Sequence, residues 1–145
     1  MDWNDSPQSV DDWIALGRRH RNGAYTLKKA RQYSLSWDHS GFAVECYLKA
    51  AIMRKFGMNR WPDKSERPDL WKHEPSELLK VLGVTFAGLG KSPIRFRLKT
   101  LLDWRRRHGY NPGSLPEKFA EQIYTDAFSS DGVVEWIAQT FHLPC

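Results

Sequence analysis

Cysteine is scarce: Cys46 and Cys145 are the only two in 145 residues. Such a pair, far apart in the chain, suggests neither a disulfide framework nor a metal cluster. Cys46 falls inside an apolar helical pattern and reads as a buried thiol. Long apolar runs are missing too. Residues 41–44 and 133–137 come closest, and Glu45 and Glu135 interrupt them far short of the roughly 20 residues that cross a bilayer. The opening Met1-Asp2-Trp3-Asn4-Asp5 lacks the basic-then-apolar layout of a signal peptide, so the expected location is cytoplasmic and no membrane partner is expected. No segment sustains the alternation of a half-buried strand, and no internal repeat or low-complexity tract occurs. Basic residues nearly vanish after Tyr110. Lys118 alone stands there against Glu117, Glu121, Asp126, Asp131 and Glu135, a balance of −4, so with a net charge of +5 the first 110 residues carry +9. That asymmetry fits an anionic partner such as RNA or a nucleotide, or self-association of acidic on basic faces.

Apolar side chains make up 41% of the chain and aromatics 13%, with seven Trp, enough to build a core. The length suits one domain, 1–145, with its core over about 9–141. Ser9 with Asp12 three residues on marks the start of a helix running to about Gln32, with strain expected near Gly17 and Gly23. The second helix spans about 36–56. Phe42, Cys46, Ala50 and Met53 form one stripe and Val44, Leu48 and Ile52 a second, which makes this helix central. Gly57 stops it, and residues of about 57–72, with Pro62 and Pro68, form a long loop of the kind often kept for function. Pro75 opens a short third helix through Leu78, Leu79 and Leu82. Pro93, capped by Ser92, opens a fourth through Ile94, Leu98, Leu101, Leu102 and Trp104, which Asn111-Pro112-Gly113 ends. Pro116 opens a fifth with Phe119, Ile123, Tyr124 and Ala127 inward, and Ser130-Asp131-Gly132 either bends it or caps a last helix through Val133, Trp136, Ile137 and Phe141. The fold expected is an all-α, single-domain bundle of about five helices.

Several clusters could carry chemistry. Glu45 and Lys49, four apart with the acid first, can pair on a helix face, worth about 0.3–0.5 kcal/mol if exposed. If that helix is central, Glu45 needs a cation, and Arg105, Arg106 and Arg107 are the suppliers. His39 and His73 could meet, but two histidines without a third ligand do not make a metal site, and no metal or cofactor is expected. Arg105 with Arg95, Arg97 and Lys99 forms the best phosphate-contact patch, where Trp104 or Tyr110 could stack a base; the competing reading is a solvated helix end whose cations favour the dipole. Arg18, Arg19, His20 and Arg21 form a smaller patch of the same ambiguous kind.

The string Trp37-Asp38-His39-Ser40-Gly41-Phe42-Ala43-Val44-Glu45-Cys46-Tyr47-Leu48-Lys49-Ala50 resembles the aromatic, His, then Ala-x-Glu-x-x-Leu-Lys-Ala pattern of the HEPN (higher eukaryote and prokaryote nucleotide-binding) family. Lys72-His73-Glu74-Pro75-Ser76-Glu77-Leu78-Leu79 is similar to the family's His-x-x-x-x-Leu entry, and the segment from Trp104 to Pro112 to its Arg-then-Tyr stretch. In that order they cover roughly residues 9–138. The resemblance implies a helical bundle that commonly forms homodimers and acts as an RNA-cleaving toxin, a partner of a nucleotidyltransferase antitoxin, or an antiviral defence module. It also implies metal-independent endoribonuclease chemistry, with an Arg on the phosphate and a His moving the 2′-hydroxyl proton. Arg106 or Arg107, His108 and Tyr110 are the residues that would carry it. The toxin members space this motif as Arg-x4-His-x-Tyr. Here His108-Gly109-Tyr110 supplies its second half, Asp103 stands five before His108, and the arginines stand one to three before it. Arg67 and His73 satisfy an Arg-x5-His spacing, but in a loop and at a helix entry. The balance favours RNA binding with weak or absent cleavage; the alternative is a non-catalytic protein-interaction module.

Overall fold

Ser9 opens the first helix as its sequence implies. Its hydroxyl accepts the Asp12 N–H at 3.0 Å, and the Asp12 carboxylate accepts the Ser9 N–H at 3.2 Å, so two N–H groups without helical partners are satisfied at once. The structure, a computed structural model, describes residues 5–144; the signal-peptide reading of residues 1–4 and the end position of Cys145 lie outside the described residues. Six α-helices follow one another among the described residues, with no strand: α1 (Val10–Lys29), α2 (Tyr33–Lys55), α3 (Pro75–Val81), α4 (Ile94–Asp103), α5 (Glu117–Phe128) and α6 (Val133–Phe141). The all-helical expectation holds, and of the two readings of Ser130-Asp131-Gly132 the separate last helix is the one seen.

α1 and α2 form a tight antiparallel hairpin. Its elbow turns at Arg31, whose φ of 62° is left-handed. Gly17 is a point of close approach and not of strain: a Cβ there would stand 2.8 Å from the Tyr47 ring, so only glycine lets the two helices pack this closely. α2 begins three residues before the expected Ser36 and is buried on nearly every side between Ser36 and Met53, as a central helix must be. The other helices pack around it.

The segment between α2 and α3 is the long irregular connection expected, and it is tied down. Trp61 is buried edge-on to Trp13 with ring centroids 5.4 Å apart, and its backbone N–H is donated to Gln8 O at 2.7 Å. Leu70 is also buried, and Trp71 Nε1 donates to Pro62 O. The loop is stapled to the start of α1.

The fourth helix departs from the sequence reading at both ends. Pro93 itself is the cap and the Ser92 side chain caps nothing. At the other end α4 stops at Asp103, eight residues before Asn111, because Trp104 leaves the helix in an extended conformation (ψ 137°). Its indole, 0% exposed, drops into a notch on α2 where Gly41 has no side chain. There Trp104 Nε1 donates to Trp37 O at 3.1 Å and the ring meets Phe42 edge-on at 5.2 Å. A 3-10 turn, Arg106–Tyr110, follows. In α5, Phe119 points outward at 42% exposure, while Ala120, Ile123 and Ala127 face the core.

The acidic tail is largely matched within the chain. Arg97 reaches Asp126 at 3.2 Å and Asp131 at 3.1 Å, and Lys28 reaches Glu121 at 3.0 Å. Buried Asp126 also accepts from Thr100 and Gln122, so this side of the bundle is a polar weld between α4, α5 and the turn before α6.

Candidate functional site

A stripe along α2, spaced four, three and four residues apart, consists of Asp38, Phe42, Glu45 and Lys49. The chain after Trp104 crosses this stripe. Gly109 stands against Asp38, and the Arg106 guanidinium lies 5.9 Å from the Phe42 ring centre. From α1, His20 packs against the same phenyl ring, 5.4 Å between centroids, and joins its Nδ1 to His39 Nδ1 at 2.9 Å. Two patches that are remote in sequence therefore share one face, with Phe42 between them.

His20 and His39 are held neutral. Burial, the other imidazole and Arg19 push His20 down to about 4, against a smaller upward pull from Glu45, and burial also lowers His39. In a neutral pair joined through Nδ1, one ring donates and the other accepts. The pair thus keeps one Nε2–H and one Nε2 lone pair for other contacts.

Glu45 is buried, and its cation is not one of the arginines. Lys49 Nζ donates to Glu45 Oε2 at 2.8 Å, and the ammonium lies 5.0 Å from a Trp13 ring and 5.8 Å from Trp61, so the expected i,i+4 pair exists but sealed from water. His73 Nδ1 donates to the same Oε2 at 3.1 Å. The Arg106 guanidinium lies against the same ring, its Nη1 3.2 Å from Nδ1 and 3.1 Å from Nε2. His39 pairs with His20 and His73 with Glu45 and Arg106, so the two histidines do not pair with each other. Among the described residues, no group of three or more His, Cys, Asp or Glu could hold a metal ion.

His108 is placed otherwise than a catalytic base requires. Its Nδ1 accepts from Trp37 Nε1 at 3.0 Å and from the Arg105 N–H at 3.3 Å. Two donors on one nitrogen put the ring proton on Nε2, and burial together with Arg107 and Arg105 lowers its pKa. His108 therefore offers outward a donor, not a lone pair.

The phosphate patch expected on α4 is dispersed. Arg97 is spent on Asp126 and Asp131. Arg105 donates to Leu102 O at 2.5 Å and Trp104 O at 2.8 Å, closing the end of α4. Arg95 donates to Gly90 O and lies over Phe86. Lys99 is exposed on the outer face, Arg107 is exposed beside His108, and Tyr110, 81% exposed, is open to solvent. Arg67 pairs with Asp69 through two bonds at 3.0 and 2.8 Å, while His73 contacts Glu45 and Arg106. Trp104 is wholly buried and cannot stack a base. Cys46 is buried as expected, and burial pushes its thiol up to about 12.

Asp38 was not singled out by its spacing. It is only 9% exposed, and no hydrogen bond or ion pair reaches it among the described residues. Burial alone raises its carboxyl from 3.8 to about 6. Between those two values the unfolded chain ionises while the folded one still holds its proton, so stability falls as pH rises through this window and the loss is complete above about 6. A rise from 3.8 to about 6 corresponds to about 3 kcal/mol, and solvent in the adjoining groove screens it to about 1–2 kcal/mol. Asp38→Asn is therefore expected to stabilise the protein at pH 7.5 by roughly that amount and to have little effect at pH 4. Urea unfolding at the two pH values checks this, and an equal effect at both would remove the account of a strained carboxylate.

No family model, no curated protein and no solved structure matches the chain.

Proposed function

We propose that the chain is a HEPN-like helical module that binds RNA or a nucleotide through the face around Phe42, with Arg106 as its main phosphate contact. The supporting observation is the convergence of Arg106, His20 and His39 around Phe42, where the guanidinium and the one free imidazole N–H of the histidine pair can donate to phosphate oxygens. Glu45 is taken up by Lys49 and His73, so the one acid left without a partner on the stripe is Asp38, a helical turn away from Phe42. The occupied Nδ1 of His108 argues against cleavage by that residue. A cytoplasmic toxin–antitoxin or antiviral setting, a homodimer and a nucleotidyltransferase partner belong to the same reading through the family resemblance alone. The internal pairing of the acidic tail leaves charge complementarity as little support for the dimer.

Labelled single-stranded RNA titrated at several salt concentrations tests the proposal. Arg106→Ala is expected to weaken binding and to reduce the log–log salt slope by roughly 0.7, whereas His108→Ala should leave the slope unchanged. An unchanged slope in Arg106→Ala would overturn the reading.

A cleaving version is favoured by one observation, that the His73 ring is held by a buried carboxylate beside the Arg106 guanidinium, which sets an imidazole next to a phosphate contact. Cutting that survives EDTA and is lost in His73→Ala but kept in His108→Ala would select it.

A further inference from the structure

At the far end of the α2 stripe from Glu45, the elbow between α1 and α2 and the chain after His108 enclose a groove. One part, of about 270 Å³, is lined by Arg31, Asp38, His108, Asn111 and Ser114 among others. It adjoins a cavity of about 190 Å³ whose wall includes Trp37 and Leu115 and which shares His108 and Asn111. Together they are comparable with the lower end of the roughly 300–1,000 Å³ range of small-molecule sites. Asp38 contributes to this lining an acceptor-only carboxylate, nine-tenths buried, with no donor from the protein. His108 lines the same groove and, with its Nδ1 doubly occupied, can present there only an N–H.

We infer that this groove is a base-recognition site in which the Asp38 carboxylate takes the Watson–Crick edge of a guanine, accepting from N1–H and from the 2-amino group, while the His108 Nε2–H serves the neighbouring O6. The inference rests on the proposed RNA or nucleotide binding and names the base that it selects.

The donor and acceptor pattern makes the selection. Guanine alone among the four bases sets two adjacent N–H donors beside a carbonyl. Adenine and cytosine place a ring-nitrogen lone pair next to their amine, which would face the carboxylate with like charge, and uracil offers one N–H between two carbonyls. Single-stranded RNA leaves these edges free to be read. A cationic ligand such as a polyamine would also satisfy Asp38, but Arg31 on the groove wall and the arginines flanking His108 make the surroundings repulsive to it. Those cations suit a ligand that is anionic overall and carries N–H donors, which is a nucleotide. A side chain at position 109 would crowd Asp38 Oδ2 at 3.3 Å, and Gly109 leaves that flank bare.

The test uses the intact protein and decamers of oligouridine carrying one central guanosine, inosine or adenosine. The guanosine decamer is expected to bind about tenfold tighter than the adenosine one, with inosine, which lacks the 2-amino group, in between. Asp38→Asn should erase the ranking and keep the residual, salt-dependent affinity; retained helicity and a melting temperature no lower than the parent's show that the variant is folded. The inosine arm needs no variant at all. Equal binding of the three decamers, or a guanosine preference that survives in Asp38→Asn, overturns the guanine inference and leaves the binding proposal standing. Failure to bind any decamer overturns both. Spermidine binding that competes with the guanosine decamer and is lost in Asp38→Asn would show an amine site and likewise overturn the inference.

Discussion

Gly41→Ala is expected to destabilise the protein by about 3–5 kcal/mol, although alanine in place of a mid-helix glycine ordinarily stabilises by up to about 1 kcal/mol. The sign reverses because a Cβ at position 41 would lie within the Trp104 indole, whose nearest atoms are backed by Trp37 O and the Phe42 ring. Overpacking of this kind costs about 1–3 kcal/mol when neighbours can yield. Here the neighbour is a fully buried Trp, and displacing it forfeits its burial, which is worth about as much as truncating a core aromatic, 3–5 kcal/mol. Urea denaturation followed by far-ultraviolet circular dichroism reads the loss. Gly41→Ala in a Trp104→Ala background should cost little or even help, since the notch is then empty, and the two changes should couple strongly. Additive effects would show that Trp104 does not occupy the notch.

Lys49→Met is expected to cost a further large amount, about 3–5 kcal/mol, by leaving Glu45 buried without its lysine. Methionine fills similar space beside Trp13 and Trp61 without the ammonium that faces their rings, so the loss reports the charge and not the volume. Glu45→Gln with Lys49→Met should return most of it, because a buried ion pair replaced on both sides is commonly near neutral. Were this pair solvated, the single change would cost only about 0.3–0.5 kcal/mol. Unfolding free energies for the two variants decide between these outcomes, and a single-variant loss under about 1 kcal/mol would mean that water reaches Glu45.

The helices were legible where local chemistry announces them. Ser9 with Asp12, Pro75, and the double stripe of α2 each follow from rules that act within a few residues. The fourth helix was misjudged because Trp104 continues its apolar spacing, yet is drawn out of the helix by a notch 63 positions earlier in the chain. The expected phosphate patch failed for a similar reason: the acids that claim Arg97 stand 29 and 34 residues further on, and no spacing rule reaches them. For His108, residue type and neighbours both suggested a base; the donor that occupies it, Trp37 Nε1, comes from another helix. Arg106 was legible as a cation near the resembled motif, but its company was not, since His20 and His73 arrive from α1 and from the entry to α3. Asp38 stood in plain view within the resembled string. Only its lack of any partner gives it meaning, and that is a property of the folded chain.

The chain from Trp104 to Leu115 is pinned at both ends, by the indole in the Gly41 notch and by the Leu115 N–H donated to Ser34 Oγ at 2.9 Å. Between the pins, Arg106 rests against the Phe42 ring and His73. These contacts bias its guanidinium toward one direction before a ligand arrives, which spares part of the about 0.5–1.5 kcal/mol that ordering a free side chain costs on binding. Preorganisation of this kind sharpens orientation as well as affinity: a phosphate that docks must accept the direction in which Arg106 already points.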